Sequence, residues 1–265
     1  MLRTLSLVLL VLSACFVLVP ATEAPAAVQS EEMSYTQDGT ELHGVMYYDD
    51  ALAEPVPGIL VVHEWWGLNE YAMSRARELA GLGYVAFALD MYGEGKTTTH
   101  PDEAGQWATE IMSNQEQAAA RFQAAYDLLK NSPRTAGKKI GAIGYCFGGS
   151  VVLSMAMQGA DLAGVVSFHG GLPQDKPAKG AVKAEVLVCH GGSDPLATAE
   201  QVQTFQDNLK AAGANWEMII FGKARHSFTN PDADKVGADA LAYDKQADTR
   251  SWEAMTNFFV EVFGQ

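Results

Sequence analysis

Short apolar runs rich in β-branched residues recur along this chain, and a segment of helical periodicity follows most of them. Residues 58–64, 84–90, 139–144, 162–168 and 185–189 are runs of this kind, and 216–221 reads as one more strand. A run that is apolar at every position is buried on both faces, which happens when helices cover both sides of a parallel sheet. Between the runs, Asn69 is placed to cap a helix that continues through Leu82 and ends at Gly83. Trp107, Ile111, Ala118, Phe122, Tyr126 and Leu129 recur at helical steps and predict one long helix. Residues 149–157, the trio Val202, Phe205 and Leu209, and the set Trp252, Met255, Phe259 and Val262 predict three more. The expectation is an α/β chain with a mainly parallel central sheet and helices on both faces, forming one domain over 39–265. Residues 40–48 alternate and read as an edge strand, and the polar stretch 27–38 reads as a tether.

The N-terminus reads as an export signal. Arg3 precedes an apolar run over 5–19, then Pro20 and small residues over 21–27, which predicts a signal peptide over 1–26 rather than a membrane span. Leu12-Ser13-Ala14-Cys15 offers a second reading, a lipid-anchored Cys15, although apolar residues rather than a polar tether follow it. A periplasmic or secreted protein is expected, and a monomer. The 32 acidic residues against 18 basic ones give a net charge of −14 and no basic cluster, which excludes a nucleic-acid partner. Cys146 and Cys189 are too few for a disulfide-stapled fold, though a single bridge between them stays open. Four histidines, His63, His169, His190 and His226, fall at or beyond strand ends without metal-ligand spacing, so no metal and no cofactor are expected.

In a parallel sheet, ligands sit beyond the carboxyl ends of the strands. Gly144-Tyr145-Cys146-Phe147-Gly148-Gly149 lies at such an end, between a buried strand and an apolar helix. A sharp strand-to-helix turn needs glycines around its tip and lifts the tip side chain above the sheet, where the helix N-terminus favours negative charge on it. Asp194 follows the strand that ends at Cys189, and His226 lies in the loop after the last strand, so a nucleophile, an acid and a histidine occur in that chain order. Glu64 closes the first buried run, where a carboxylate needs a reason to be buried. The backbone N–H groups of Trp65 and Phe147 are placed to receive an oxyanion. Trp66, Tyr92, His169 and Ser227 are candidates for the substrate pocket.

These residues together resemble the dienelactone hydrolase family: Glu64 after the first buried strand, the 144–149 elbow, Asp90-Met91-Tyr92, Asp194, and His226-Ser227-Phe228. The resemblance spans about residues 33–264. It implies an α/β-hydrolase fold and a Cys146–His226–Asp194 triad, with Glu64 holding the resting thiol and helping to deprotonate it. The implied reaction is cleavage of small carboxylic esters or lactones through an acyl-cysteine. The founding members hold the substrate carboxylate with two arginines; the corresponding positions here are Glu94 and Asn230, which points away from a carboxylated dienelactone. Two other readings remain: thioester cleavage by the same machinery, and an exported binding or sensing protein that kept the scaffold without turnover.

Overall fold

The computed structural model describes residues 28–264; the expected signal segment and Cys15 lie outside the described residues. Eight strands form one sheet: β1 (Val28–Gln37), β2 (Thr40–Asp49), β3 (Gly58–Val62), β4 (Val85–Leu89), β5 (Ile140–Tyr145), β6 (Gly164–Phe168), β7 (Glu185–Gly191) and β8 (Trp216–Phe221). Their spatial order is β1-β2-β4-β3-β5-β6-β7-β8. From β4 to β8 every neighbour is parallel, and β1 and β2 add an antiparallel margin. Six α-helices are described: α1 (Glu70–Gly81), α2 (Pro101–Ser113), α3 (Gln115–Lys130), α4 (Phe147–Met157), α5 (Ala199–Ala212) and α6 (Lys245–Phe263). This is the α/β-hydrolase architecture. Among the described residues no helix is long and apolar enough to cross a membrane.

Successive residues of the central strands feed two different cores. In β3, Leu60 and Val62 join Phe122, Leu129, Val152 and Leu209 on the face covered by α3, α4 and α5, while Ile59 and Val61 join Ala76, Leu79, Met255 and Phe259 under α1 and α6. That alternation between two apolar layers is why the strands are hydrophobic at every position.

Three local expectations change. The tether is β1, paired over its whole length with β2; its Met33 and Tyr35 pack on the core while Ser30, Glu32 and Ser34 face outward. The domain therefore takes in Val28–Gln37. Since β1 covers it, β2 is an interior strand rather than an edge. The long helix is two helices, because Asn114 breaks the backbone and its side chain accepts the N–H of Gln117 to start α3. Asn69 caps α1 as expected, accepting the N–H of Ala72.

Candidate functional site

The carboxyl ends of β3, β5 and β7 and the loop after β8 carry Glu64, Cys146, Asp194 and His226 to one edge of the sheet. Cys146 is the tip of the elbow between β5 and α4, with φ of 52° and ψ of −114°. An L-residue adopts such a backbone only where its surroundings impose it. Here they do: a Cβ on Gly144 would lie 2.1 Å from the carbonyl oxygen of Gly148, and one on Gly148 would lie 2.3 Å from that of Val62. The elbow can form only because strand, turn and helix cross where no side chain is present. Cys146 is half-buried and free of any disulfide, as is the fully buried Cys189, which closes the bridge left open by the sequence.

His226 and Asp194 meet as the sequence order implied. His226 Nδ1 lies 2.9 Å from Asp194 Oδ2, and both residues are buried. The second Asp194 oxygen accepts the N–H of Leu196 at 2.8 Å. Burial alone would raise the Asp194 carboxyl, but the bond to His226 and its charge outweigh that and hold it below the ordinary carboxylate value. His226 Nε2 lies beside the Cys146 thiol and has no other partner. Burial pushes this imidazole down; the sulfur's negative charge and the bond to Asp194 push it up further, to about 10. An imidazolium there is what a thiolate neighbour would stabilise.

Glu64 is buried beside His226, but its hydrogen bonds go elsewhere than the thiol. Oε1 accepts from the Ser227 hydroxyl at 3.1 Å and Oε2 from Asn230 Nδ2 at 2.6 Å. Burial raises its carboxyl above the ordinary value, and Asn230, His226 and Ser227 offset only part of that. Asn230, which sequence reasoning treated as a missing arginine, is thus a direct partner of Glu64. Ser227, expected in the pocket, serves the same carboxylate from a left-handed backbone with φ of 56°. Beside them opens a cleft of about 360 Å³ lined by Trp66, Tyr71, Thr98, Ser227 and Asn230 among others.

The other expected residues divide. Phe147 opens α4, and the N–H groups of a helix's first turn lack intrahelical partners; Trp65 lies at the end of β3, directly after Glu64. Tyr92 donates to the Trp65 carbonyl at 3.0 Å and stands 5.3 Å from the Phe147 ring, close enough to Cys146 for the sulfur's charge to add to burial in raising its phenol. His169 is not a pocket residue: it is fully buried and bonded on both ring nitrogens. His63 bonds the Glu64 carbonyl and accepts the N–H of Met91, fixing two adjacent loops. Asp90 accepts the N–H groups of Tyr92, Gly93 and Gly95 and so shapes the 90–95 loop. Glu94 is exposed and paired with Lys96, and Arg225 turns outward to the Asp239 carbonyl. Among the described residues no group of three or more His, Cys, Asp or Glu is arranged to hold a metal ion.

Comparison with known proteins identifies the family. The model of the dienelactone hydrolase family matches residues 42–263. A crystal structure of a dienelactone hydrolase-like promiscuous phosphotriesterase from metagenomic libraries superposes with a TM-score of 0.86 at 38% identity, covering 89% of this chain and 99% of that one. Protein usf of Aquifex pyrophilus is 32% identical over 77% of this chain and 88% of its own length. An Aquifex aeolicus protein provisionally named a carboxymethylenebutenolidase is 30% identical over 77% of this chain and 87% of its own. A match over almost the whole described chain, on an α/β-hydrolase sheet with the elbow, acid and histidine at its carboxyl edge, makes this protein an enzyme of the dienelactone hydrolase family.

Proposed function

We propose that this enzyme hydrolyses small, uncharged carboxylic esters or lactones through an acyl-cysteine on Cys146. The observation that carries the reading is the Asp194–His226 hydrogen bond set beside a cysteine in a left-handed elbow. Asp194 holds His226 in the tautomer that presents Nε2 to the sulfur. The thiolate attacks the ester carbonyl, forming a C–S bond while the carbonyl electrons move to oxygen. The N–H groups of Phe147 and Trp65 receive that oxyanion. On collapse the C–O bond breaks, and the departing alkoxide takes the Nε2 proton. His226, now neutral, takes a proton from water as the water attacks the acyl-cysteine; the acid leaves and the thiolate–imidazolium pair is restored. Glu64 adds negative charge near His226 that favours its charged form.

A neutral substrate fits the surroundings. Glu94 and Asn230 occupy the positions where the founding family members carry arginines, and Arg225 points away. Export to the periplasm or beyond, supported by Arg3 and the apolar run 5–19, would place the substrate outside the cytoplasm; cell fractionation of the full chain and of Cys15→Ser tests this and the lipid anchor together. The decisive experiment on chemistry is turnover of nitrophenyl esters, a neutral lactone, a carboxylated dienelactone, a thioester and a phosphate triester, the last because of the activity in the relative's name. Cleavage of neutral esters that is lost in both Cys146→Ala and His226→Ala supports the proposal. A reduced parent enzyme as inert as the two variants on every ester and lactone overturns it.

A further inference from the structure

His169 directly follows β6 and takes no part in the chemistry above, yet it is fully buried and held at φ of 41°. Its ring touches both halves of the catalytic pair's support. Nδ1 accepts the backbone N–H of Cys146 itself at 3.1 Å. Since Nδ1 is an acceptor, the ring proton sits on Nε2, which is 2.7 Å from Thr229 Oγ1 and donates to it. Thr229 Oγ1 also shares a hydrogen bond with the Tyr71 hydroxyl at 2.6 Å. Thr229 lies three residues after His226, on the loop that also carries Ser227 and Asn230. Its carbonyl is fixed by Arg75 at 2.7 Å, and Arg75 is anchored to Asp248 of α6 at 2.6 Å.

We infer that His169 is a positioning residue, a neutral two-sided clamp that sets the distance between the nucleophile elbow and the loop bearing His226. The inference rests on Cys146 and His226 being the reacting pair. Only a neutral imidazole can accept on one side and donate on the other. Burial, with the charges of His226 and Arg75 nearby, holds this ring well below the ordinary imidazole value and so keeps it neutral. The Cys146 N–H is shared with the Phe168 carbonyl at 3.0 Å. Removing the ring therefore leaves no orphaned donor; what is lost is the link between elbow and loop. The His169 and His226 rings also stand edge to face at 5.3 Å, so a shift of one is felt by the other.

The test uses the full-length enzyme and three variants: His169→Ala, His169→Asn and Thr229→Val. Asparagine tolerates positive φ and keeps an acceptor near the Nδ1 position, but it is too short to reach Thr229. Three readouts are taken: kcat and KM on any ester the parent cleaves, the rate at which iodoacetamide alkylates Cys146 at pH 7, and the NMR titration of the His226 ring. All three variants should lose roughly ten- to a hundredfold in kcat with KM within about twofold, as expected for a misplaced reacting group. Alkylation should slow in step, and the His226 titration should move down from about 10 toward the ordinary imidazole value. Folded variants with the parent's kcat, alkylation rate and His226 titration overturn the clamp. So does full recovery in His169→Asn, which would reduce the role to the single bond at Cys146. If His169→Ala does not fold, Thr229→Val, which preserves shape, decides alone by the same criteria. A parent inert on every ester, but with alkylation that slows in the variants, would sink the hydrolase reading and leave the clamp standing.

Discussion

Two cysteines stand two strands apart in the same sheet, and nothing in their side chains distinguishes them. Cys189 lies inside β7, fully buried among Leu187, Val166 and Phe228 in the core under α1 and α6. Burial there, with the Glu217 carboxylate adding to it, pushes its thiol well above the ordinary value. Cys146 lies one residue past the end of β5, half-buried, with a left-handed backbone and a cationic imidazole for a neighbour. A residue one step beyond a strand leaves the pleat and is free to be aimed; a residue within it is committed to a core. Within the strand, sulfur is a small apolar filler; one step beyond it, in the function proposed above, it is the nucleophile.

The largest contrast should come from truncating each in turn. Cys146→Ala is expected to lower kcat by at least about a thousandfold, as loss of a triad nucleophile does, while leaving the melting temperature close to the parent's. Cys146→Gly should be as inactive but more stable than Cys146→Ala by about 1 kcal/mol, because glycine accepts the positive φ without strain. A Cys146→Ala enzyme that retains turnover would end the comparison. Iodoacetamide sharpens it next: in the folded protein Cys146 should be alkylated at least about a hundredfold faster than Cys189, as burial shields one thiol and an adjacent cation activates the other. Mass mapping of the labelled peptides reads the ratio, and equal labelling would break the distinction.

Gly144→Ala tests whether the elbow's backbone, rather than its sulfur, makes the difference. The added methyl would meet backbone atoms of Gly148 at 2.1 and 2.2 Å, which cannot rotate away. A destabilisation of about 3 kcal/mol is expected from such overpacking, together with slower alkylation of Cys146 and unchanged protection of Cys189. Denaturant melts and the labelling assay check both. The pH profile follows in size. Folding raises the His226 pKa above its usual value, so the proton that the leaving alkoxide needs is retained as pH rises and is lost only near pH 10. The high-pH limb of kcat/KM should therefore fall there rather than near 7. A limb near the ordinary imidazole value would mean that the sulfur does not hold the ring charged.

Much of this was legible in the sequence, for physical reasons that also explain the remainder. The doubly buried strands could be read because both faces meet apolar layers, and the elbow because only Gly144, Gly148 and Gly149 let the backbone cross there. Asp194 and His226 could be paired because chain order at one sheet edge constrains them. The strand at 28–37 was missed because an edge strand with one solvated face, Ser30, Glu32 and Ser34, and an exposed Glu31 has the composition of a linker. The break at Asn114 was missed because α2 and α3 keep their apolar residues on one side, so periodicity runs across the gap. Asn230 and Ser227 as partners of Glu64, and His169 as a buried clamp, depend on loops some 60 to 170 residues apart in sequence meeting in space. No local pattern encodes that meeting.

The smallest expected effect belongs to Cys189, and it concerns stability alone. Replacing it with alanine removes one sulfur from a fully buried site, and losing a group of that size from a packed core costs about 1 kcal/mol when the surroundings relax partly. Serine keeps the volume but adds a hydroxyl among apolar neighbours; if it finds no acceptor there, the cost is about 1–3 kcal/mol. Serine should thus be the more damaging of the two although it is the closer isostere, the reverse of the expectation for a functional thiol. Activity per folded molecule should stay at the parent's level in both, and so should alkylation of Cys146. Urea melts of the two variants, with turnover measured on the folded fraction, read the order directly. If Cys189→Ser were the more stable variant, or if either lowered kcat, Cys189 would be coupled to the site through the His169 N–H that its carbonyl accepts, and the boundary between core and catalytic edge would run one strand further into the sheet.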